Sequence, residues 1–196
     1  MLHNYNPPSD PLNFLHEDRE VVAVEKPAGL LSVPGREEHL GDCLIHRVQI
    51  AFPDALLVHR LDMDTSGVMV FALTAHAQRH LSMQFEQRMV KKTYIARVAG
   101  HIGEKTGEVD LPLIVDWPNR PLQKVCHETG KPALTEWKVI KMSAGESRLL
   151  LTPKTGRSHQ LRVHCLAIGH PILGDPLYTR KTASEFPRMM LHSEEL

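Results

Sequence analysis

The stretch His59-Arg60-Leu61-Asp62-Met63-Asp64-Thr65-Ser66-Gly67 gathers a histidine, an arginine and two carboxylates between two apolar runs. The runs are Ala55-Leu56-Leu57-Val58 before it and Val68-Met69-Val70-Phe71-Ala72-Leu73 after it. Both are short enough to be strands. Thr65-Ser66-Gly67 is turn-prone, so the segment reads as strand, bend, strand. Charges at the end of a buried strand are normally paired or in use. Asp62 and Asp64 are two residues apart and share a face on an extended chain. A hydrolase using one carboxylate as acid and the other as base would want such a pair. A solvated turn with a capping Asp is the competing structural reading. The adjoining His59-Arg60 and two further segments weigh against it.

The second segment is Lys91-Lys92-Thr93-Tyr94-Ile95-Ala96-Arg97, an aromatic flanked by cations on a strand-like run. That combination can hold a phosphate backbone and stack a base. Taken alone, it reads better as an ordinary strand with its Tyr in the core. The third is Thr152-Pro153-Lys154-Thr155-Gly156-Arg157-Ser158-His159-Gln160-Leu161-Arg162-Val163-His164, where basic side chains crowd a loop-to-helix junction. Free N–H groups at a helix start favour anions. Arg157 stands where it could hold a phosphate. Arg162, one turn in, could face a carboxylate.

Other chemistries find less support. His76 and His80 have ligand-compatible spacing on a predicted helix, but the intervening Ala-Gln-Arg is not the zinc-protease pattern, and a solvated face is the better reading. Asp62-Met63-Asp64 could take Mg²⁺, but the adjacent cations argue against it. Walker, dinucleotide-binding and Gly-x-Ser-x-Gly motifs are missing from the sequence.

The elements that must position these segments follow from periodicity and punctuation. Strands are expected at Val21–Val24, Tyr94–Val98, Lys124–Cys126, Leu134–Ile140, Arg148–Thr152 and from Met189. Helices are expected from Asp42 to Phe52, from Ala75 (capped by Thr74) to about Arg88, and from His159 to Ile168 with Gly169 as C-cap. Residues 1–14 read as an irregular arm. Residues 101–123 read as a long loop around a short strand at Val109–Leu113. Strands follow one another through short turns more often than through helices. The expected fold is α+β, with a mixed, mainly antiparallel sheet, flanking helices and a central cleft.

At 196 residues and 42% apolar, the chain has enough hydrophobic mass for one core. No apolar run approaches the ~20 residues of a membrane helix. Three scattered cysteines, Cys43, Cys126 and Cys165, suit a cytoplasmic protein with buried free thiols. Net charge is zero, yet residues 1–55 carry −5 and the remainder +5, which allows a basic face.

Together the three segments resemble the RluA family of RNA pseudouridine synthases. The resemblance rests on His-Arg-Leu-Asp at 59–62 with Thr-Ser-Gly at 65–67, and on Lys92 and Tyr94. It rests further on Gly-Arg-x-His-Gln-Leu-Arg-x-His at 156–164, Gly-His-Pro-Ile-Leu-Gly-Asp at 169–175 with Tyr178, and the early loop Lys26-Pro27-Ala28-Gly29. The likeness runs in order from about residue 15 to the end. Asn4-Tyr5-Asn6-Pro7-Pro8 and Asp116-Trp117-Pro118-Asn119-Arg120-Pro121 are similar to the dual-specificity branch of that family, which acts on 23S rRNA and a tRNA anticodon arm.

The resemblance implies that Asp62 is the catalytic aspartate and that Tyr94 lies against the target uracil. Arg162 would pair with Asp62, and Arg60 would fill the gap left by a flipped-out base. His59 and Arg157 would complete the substrate contacts. Asp64 matches an open position of the motif. The reaction cuts the bond from N1 to the ribose and rejoins uracil through C5. It needs no redox change, so no cofactor and no metal are implied. Residues 15–196 would form one catalytic domain with no separate N-terminal RNA-binding domain, lacking a last C-terminal strand. The expected partner is structured RNA, with no membrane and a monomeric protein. A carboxylate-dependent nucleoside or glycoside hydrolase and a non-catalytic RNA-binding module are the alternatives.

Overall fold

The chain enters its first sheet through a strand that the apolar pattern does not announce. Asn13–Glu17 (β1) is exposed at every residue. It pairs antiparallel with Val21–Lys26 (β2), Asn13 opposite Glu25 and Glu17 opposite Val22. The arm expected to stay irregular to residue 14 thus ends in an edge strand. The computed structural model describes residues 5–179 and 182–196. From residue 5 the arm is fastened down. Tyr5 Oη donates to the Asp42 carbonyl and accepts from Leu31 N–H, and Arg47 donates to the Pro8 carbonyl.

The chain divides into two compact units, Met1–Val90 with Leu196 and Lys91–Glu195. In the first unit, β2 alternates, so that Val22, Val24 and Lys26 are buried on one face. Its far neighbour is Ser66–Ala72 (β4), which also takes the two-residue strand Leu56–Leu57 (β3). Leu44–Ala51 (α1) covers this core with Leu44, Ile45 and Val48. Ile50, the other large apolar residue of this helix, is 84% exposed. Ala75–Glu86 (α2) begins where expected, because Thr74 Oγ1 accepts from Ala77 N–H at 3.1 Å. Thr74 also donates to the Glu20 carboxylate. Each large aliphatic side chain buried here contributes roughly 1.5–3 kcal/mol.

In the second unit five strands run antiparallel in the order β11-β5-β10-β9-β6. They are Thr93–Ala99 (β5), Thr106–Asp110 (β6), Leu134–Ser143 (β9), Glu146–Pro153 (β10) and Leu191–Glu195 (β11). The long loop expected over 101–123 is more ordered than its Gly and Pro content suggests. It supplies β6 and then Leu113–Val115 (β7), which pairs with Gln123–Val125 (β8) as a separate hairpin. Gln160–Ala167 (α3) packs Leu161 and Cys165 into the sheet core beside Ala96, Leu149, Leu151 and Leu191. Its other face carries Val163, which joins Leu113 and Ala133 under the hairpin.

Of the three thiols, Cys43 and Cys165 are buried as expected, and burial pushes Cys165 up to about 12. Cys126 departs from the expectation. It is partly exposed, and its contact with the Thr129 hydroxyl lowers its pKa.

Candidate active site

The first unit presents Asp62 on a loop pinned at both sides. Ser32 Oγ donates to the Leu61 carbonyl at 2.7 Å and accepts from Leu61 N–H. On the other side, the Met63 carbonyl accepts from Lys26 Nζ at 2.8 Å and from Gly29 N–H at 2.9 Å. Thr65 N–H closes the bend onto the Asp62 carbonyl. The Lys26-Pro27-Ala28-Gly29 turn is therefore the cradle of the Asp62 loop. Gly29 can bring its N–H there because it adopts φ 85°, a conformation costly for any residue with a Cβ.

Lys26 is the unexpected member. Strand alternation puts it in phase with Val22 and Val24, so its ammonium ends where an apolar residue would normally lie. Its Nζ donates to three carbonyls, those of Pro27, Leu30 and Met63, at 2.7–2.9 Å. Three acceptors match the three N–H bonds of an ammonium. Burial pushes its pKa down to about 7, and the charges of Asp64 and Asp62 pull it back up.

His59 sits in the same unit as a brace. Its Nε2 accepts from Val70 N–H at 3.1 Å, which assigns the proton to Nδ1. Its ring stacks on Phe85 of α2, with centroids 4.5 Å apart and planes inclined by 18°. Arg60, next along, is exposed, and Asp62 and Asp64 are half-buried.

The second unit brings the other two segments together. Lys92 Nζ reaches the Thr155 carbonyl at 3.4 Å. Tyr94 lies opposite Leu151 in the ladder and packs against the cluster that contains Leu161 of α3. The loop before α3 is shaped by Gln160, whose side chain is buried and engaged at both ends. Its Oε1 accepts from Thr155 Oγ1 and Arg157 N–H, and its Nε2 donates to the Leu134 carbonyl and Thr135 Oγ1. Arg157 Nε donates to the Pro132 carbonyl. His159 is held at φ 52°, ψ 19°, a left-handed conformation, with its Nδ1 2.9 Å from Tyr178 Oη.

Arg162 is buried, and Asp175 grips it with two hydrogen bonds of 2.7 Å, Nε to Oδ2 and Nη2 to Oδ1. The Tyr178 ring lies 5.3 Å from the guanidinium carbon. Sequence reasoning gave Asp175 no role, though its place after Gly174 was a signal. Gly174 has φ 72°, and a Cβ there would strike the Arg188 carbonyl, so the turn that delivers Asp175 admits little else. Neighbouring His164 is a neutral structural histidine. Burial lowers its pKa, and its ring nitrogens engage Thr135 Oγ1 and the Leu111 carbonyl.

Among the described residues there is no group of three or more His, Cys, Asp or Glu able to hold a metal ion, and no helix long and apolar enough to cross a membrane. His76, His80, Arg79 and Met83 line an open groove on α2.

Comparison with known proteins places this arrangement in context. The family described as RNA pseudouridylate synthase matches residues 20–167. The chain is 57% identical to the dual-specificity RNA pseudouridine synthase RluA of Salmonella typhi, over all of this chain and 90% of that protein. The RluA protein of Vibrio parahaemolyticus is 51% identical, over 98% of this chain and 80% of that one. The solved structure of human RNA Pseudouridylate Synthase Domain Containing 1 superposes with a TM-score of 0.81 at 32% identity, covering 96% of this chain and 79% of that one. The family match reaches from the cradle of Asp62 through α3, and the matched relatives extend it over the Asp175 turn. The chain belongs to the RluA family of RNA pseudouridine synthases, and the reaction it catalyses is the isomerisation of uridine to pseudouridine in RNA.

Proposed function

We propose that Asp62 is the group that acts at the ribose, on stem-loops of 23S rRNA and of a tRNA anticodon arm. The observation carrying this assignment is the double pinning of the Asp62 loop, Leu61 by Ser32 and Met63 by Lys26 and Gly29. A carboxylate between two fixed backbone points needs little reorganisation to meet its target. In the reaction the N1–C1′ bond breaks, the uracil turns and C5 bonds to C1′. The C5 hydrogen leaves as a proton and N1 gains one, so the product has unchanged mass. Positive character at C1′ invites a carboxylate to stabilise or attack it. Removal of the 2′ proton by the same group is the other route.

Arg60 takes the place of the extruded nucleotide, since a planar cation can stack or hydrogen-bond there. Tyr94 walls the detached uracil, and Arg162 supplies a fixed positive charge. Arg157 holds a phosphate. His59 acts by bracing the loop that carries Arg60 and Asp62, through its hydrogen bond from Val70 N–H of β4. Dual specificity is the property named for the relatives, and the 51–57% identity supports carrying it over. The free thiols of Cys43 and Cys165 support a location in the cytoplasm, where the protein acts as a monomer by our reading.

The test is incubation with each stem-loop RNA followed by reverse-phase nucleoside analysis. Pseudouridine at one position in each RNA is the expected result. Abasic sites would indicate a hydrolase, and unchanged uridine a binding module. Equal activity on unstructured poly-uridine would remove the requirement for a stem-loop.

A further inference from the structure

The hairpin of β7 and β8 carries at its tip a large aromatic that the fold does not use. Trp117 is 61% exposed. Arg120 lays its guanidinium against the indole, its central carbon 3.5 Å from the ring centroid. One face of the indole is thus covered by a cation, and the exposure belongs to the rest of the ring.

The tip is rigid. Asp116 N–H donates to the Leu122 carbonyl, Asn119 N–H to the Asp116 carbonyl and Leu122 N–H to the Asn119 carbonyl. The Asp116 carboxylate accepts from Asn119 Nδ2 and from Lys124 Nζ. Pro118 and Pro121 remove further freedom. A stacking surface fixed in advance loses little entropy when it is used.

The base of the hairpin is joined to the basic cluster of the second unit. Gln123 N–H donates to Tyr178 Oη, the same hydroxyl that lies 2.9 Å from His159 Nδ1. Tyr178 in turn faces Arg162. A strand of RNA held at Arg157 and His159 would pass the foot of the hairpin.

We infer that the hairpin tip is a base-stacking platform for a nucleotide of the substrate RNA other than the isomerised uridine, with Trp117 as the platform and Arg120 as its cationic backing. The inference rests on the family's action on RNA. An indole offers every base a π-face, so the contact is tolerant of sequence. The flanking guanidinium favours an anion over a neutral or basic surface by adding positive charge at the point of contact, and the indole beside it suits an anion that also offers a stackable base.

The test uses the full chain and a stem-loop RNA that the wild-type protein isomerises, so failure of the inference leaves the family activity intact. Affinity is measured at several salt concentrations for wild type, Trp117→Ala, Trp117→Phe and Arg120→Ala. Trp117→Ala should weaken binding roughly tenfold or more (about 1.4 kcal/mol) without changing the salt slope. Arg120→Ala should lower the slope by about one. Trp117→Phe should stay within about threefold of wild type, because a smaller aromatic still stacks. Wild-type indole fluorescence should be quenched by RNA, and the quench should vanish in Trp117→Phe, where only Trp137 remains. Wild-type affinity in Trp117→Ala, or an RNA-induced quench that survives in Trp117→Phe, overturns the inference. Either result would leave Trp117 as a contact for another protein. The fluorescence arm stands even if Trp117→Ala does not fold.

Discussion

The Arg162 guanidinium is clasped by the Asp175 carboxylate through two parallel hydrogen bonds of 2.7 Å, and both side chains are almost wholly withdrawn from solvent. Asp175 Oδ1 also accepts from the N–H groups of Leu177 and Tyr178. The carboxylate therefore fixes a helix side chain and a turn at once. Removing its charge leaves a guanidinium buried without that partner. Asp175→Asn is expected to lower the free energy of unfolding by about 3–5 kcal/mol. Urea denaturation followed by circular dichroism measures this, and a loss below about 1 kcal/mol would show that Arg162 is satisfied without Asp175.

Asp62→Asn keeps the size of the side chain and removes its charge. It is expected to abolish tritium release from RNA labelled at uracil C5, with RNA affinity kept within roughly tenfold. Asp64→Asn should retain most activity. Normal release by a folded Asp62→Asn protein, or a loss confined to Asp64→Asn, would reassign the chemistry.

Arg60→Ala separates flipping from binding. A residue that fills the vacated stack should, when removed, slow single-turnover modification of a stem-loop strongly while the fold remains intact. A residue that only contacts phosphate should instead show weaker binding and a salt slope shallower by about one. Rates and affinities measured together distinguish the two.

Lys26 predicts opposite pH trends for stability and activity. Its pKa falls from 10.5 to about 7 on folding. Between those values the unfolded chain holds a proton that the folded chain has released. The free energy of unfolding therefore rises with pH in that window, by up to about 1.4 kcal/mol per unit from this group. Activity should fall over the same window. A neutral amine has two N–H bonds for three carbonyls, and the Met63 anchor loosens. Urea unfolding and single-turnover rates from about pH 6.5 to 9.5 read both trends, and Lys26→Met should flatten the Lys26 part of each. Parallel rather than opposed profiles would refute the anchoring role.

The sequence made the strong periods and punctuation legible. The Thr74 cap, the Ala77-Leu81-Phe85 face of α2, the hairpin of β9 and β10 around Gly145 and the helix ending at Gly169 all follow from local rules. β1 was invisible because none of its five residues is buried, so no alternation marks it. β8 lies at Gln123–Val125, close to the strand expected at Lys124–Cys126, whereas β7 was blurred because its three residues run into a proline-rich tip. In the site, the three charged segments could be read from residue types alone. Which groups fix them could not. Lys26 read only as the start of the early loop, although the phase of Val22 and Val24 placed it inward. Asp175 was hidden because its partner lies on another element, and no spacing rule links residue 162 to residue 175.

The left-handed backbone of His159 sets two kinds of laboratory selection against each other. An L-residue with a Cβ costs roughly 1–2 kcal/mol in that conformation, and Gly or Asn would relieve it. A library sorted only for heat resistance should therefore enrich Gly or Asn at position 159. One sorted for modified RNA should keep the imidazole that meets Tyr178 Oη. Divergence of the two pools at this one codon would mark the site where the protein trades durability for turnover.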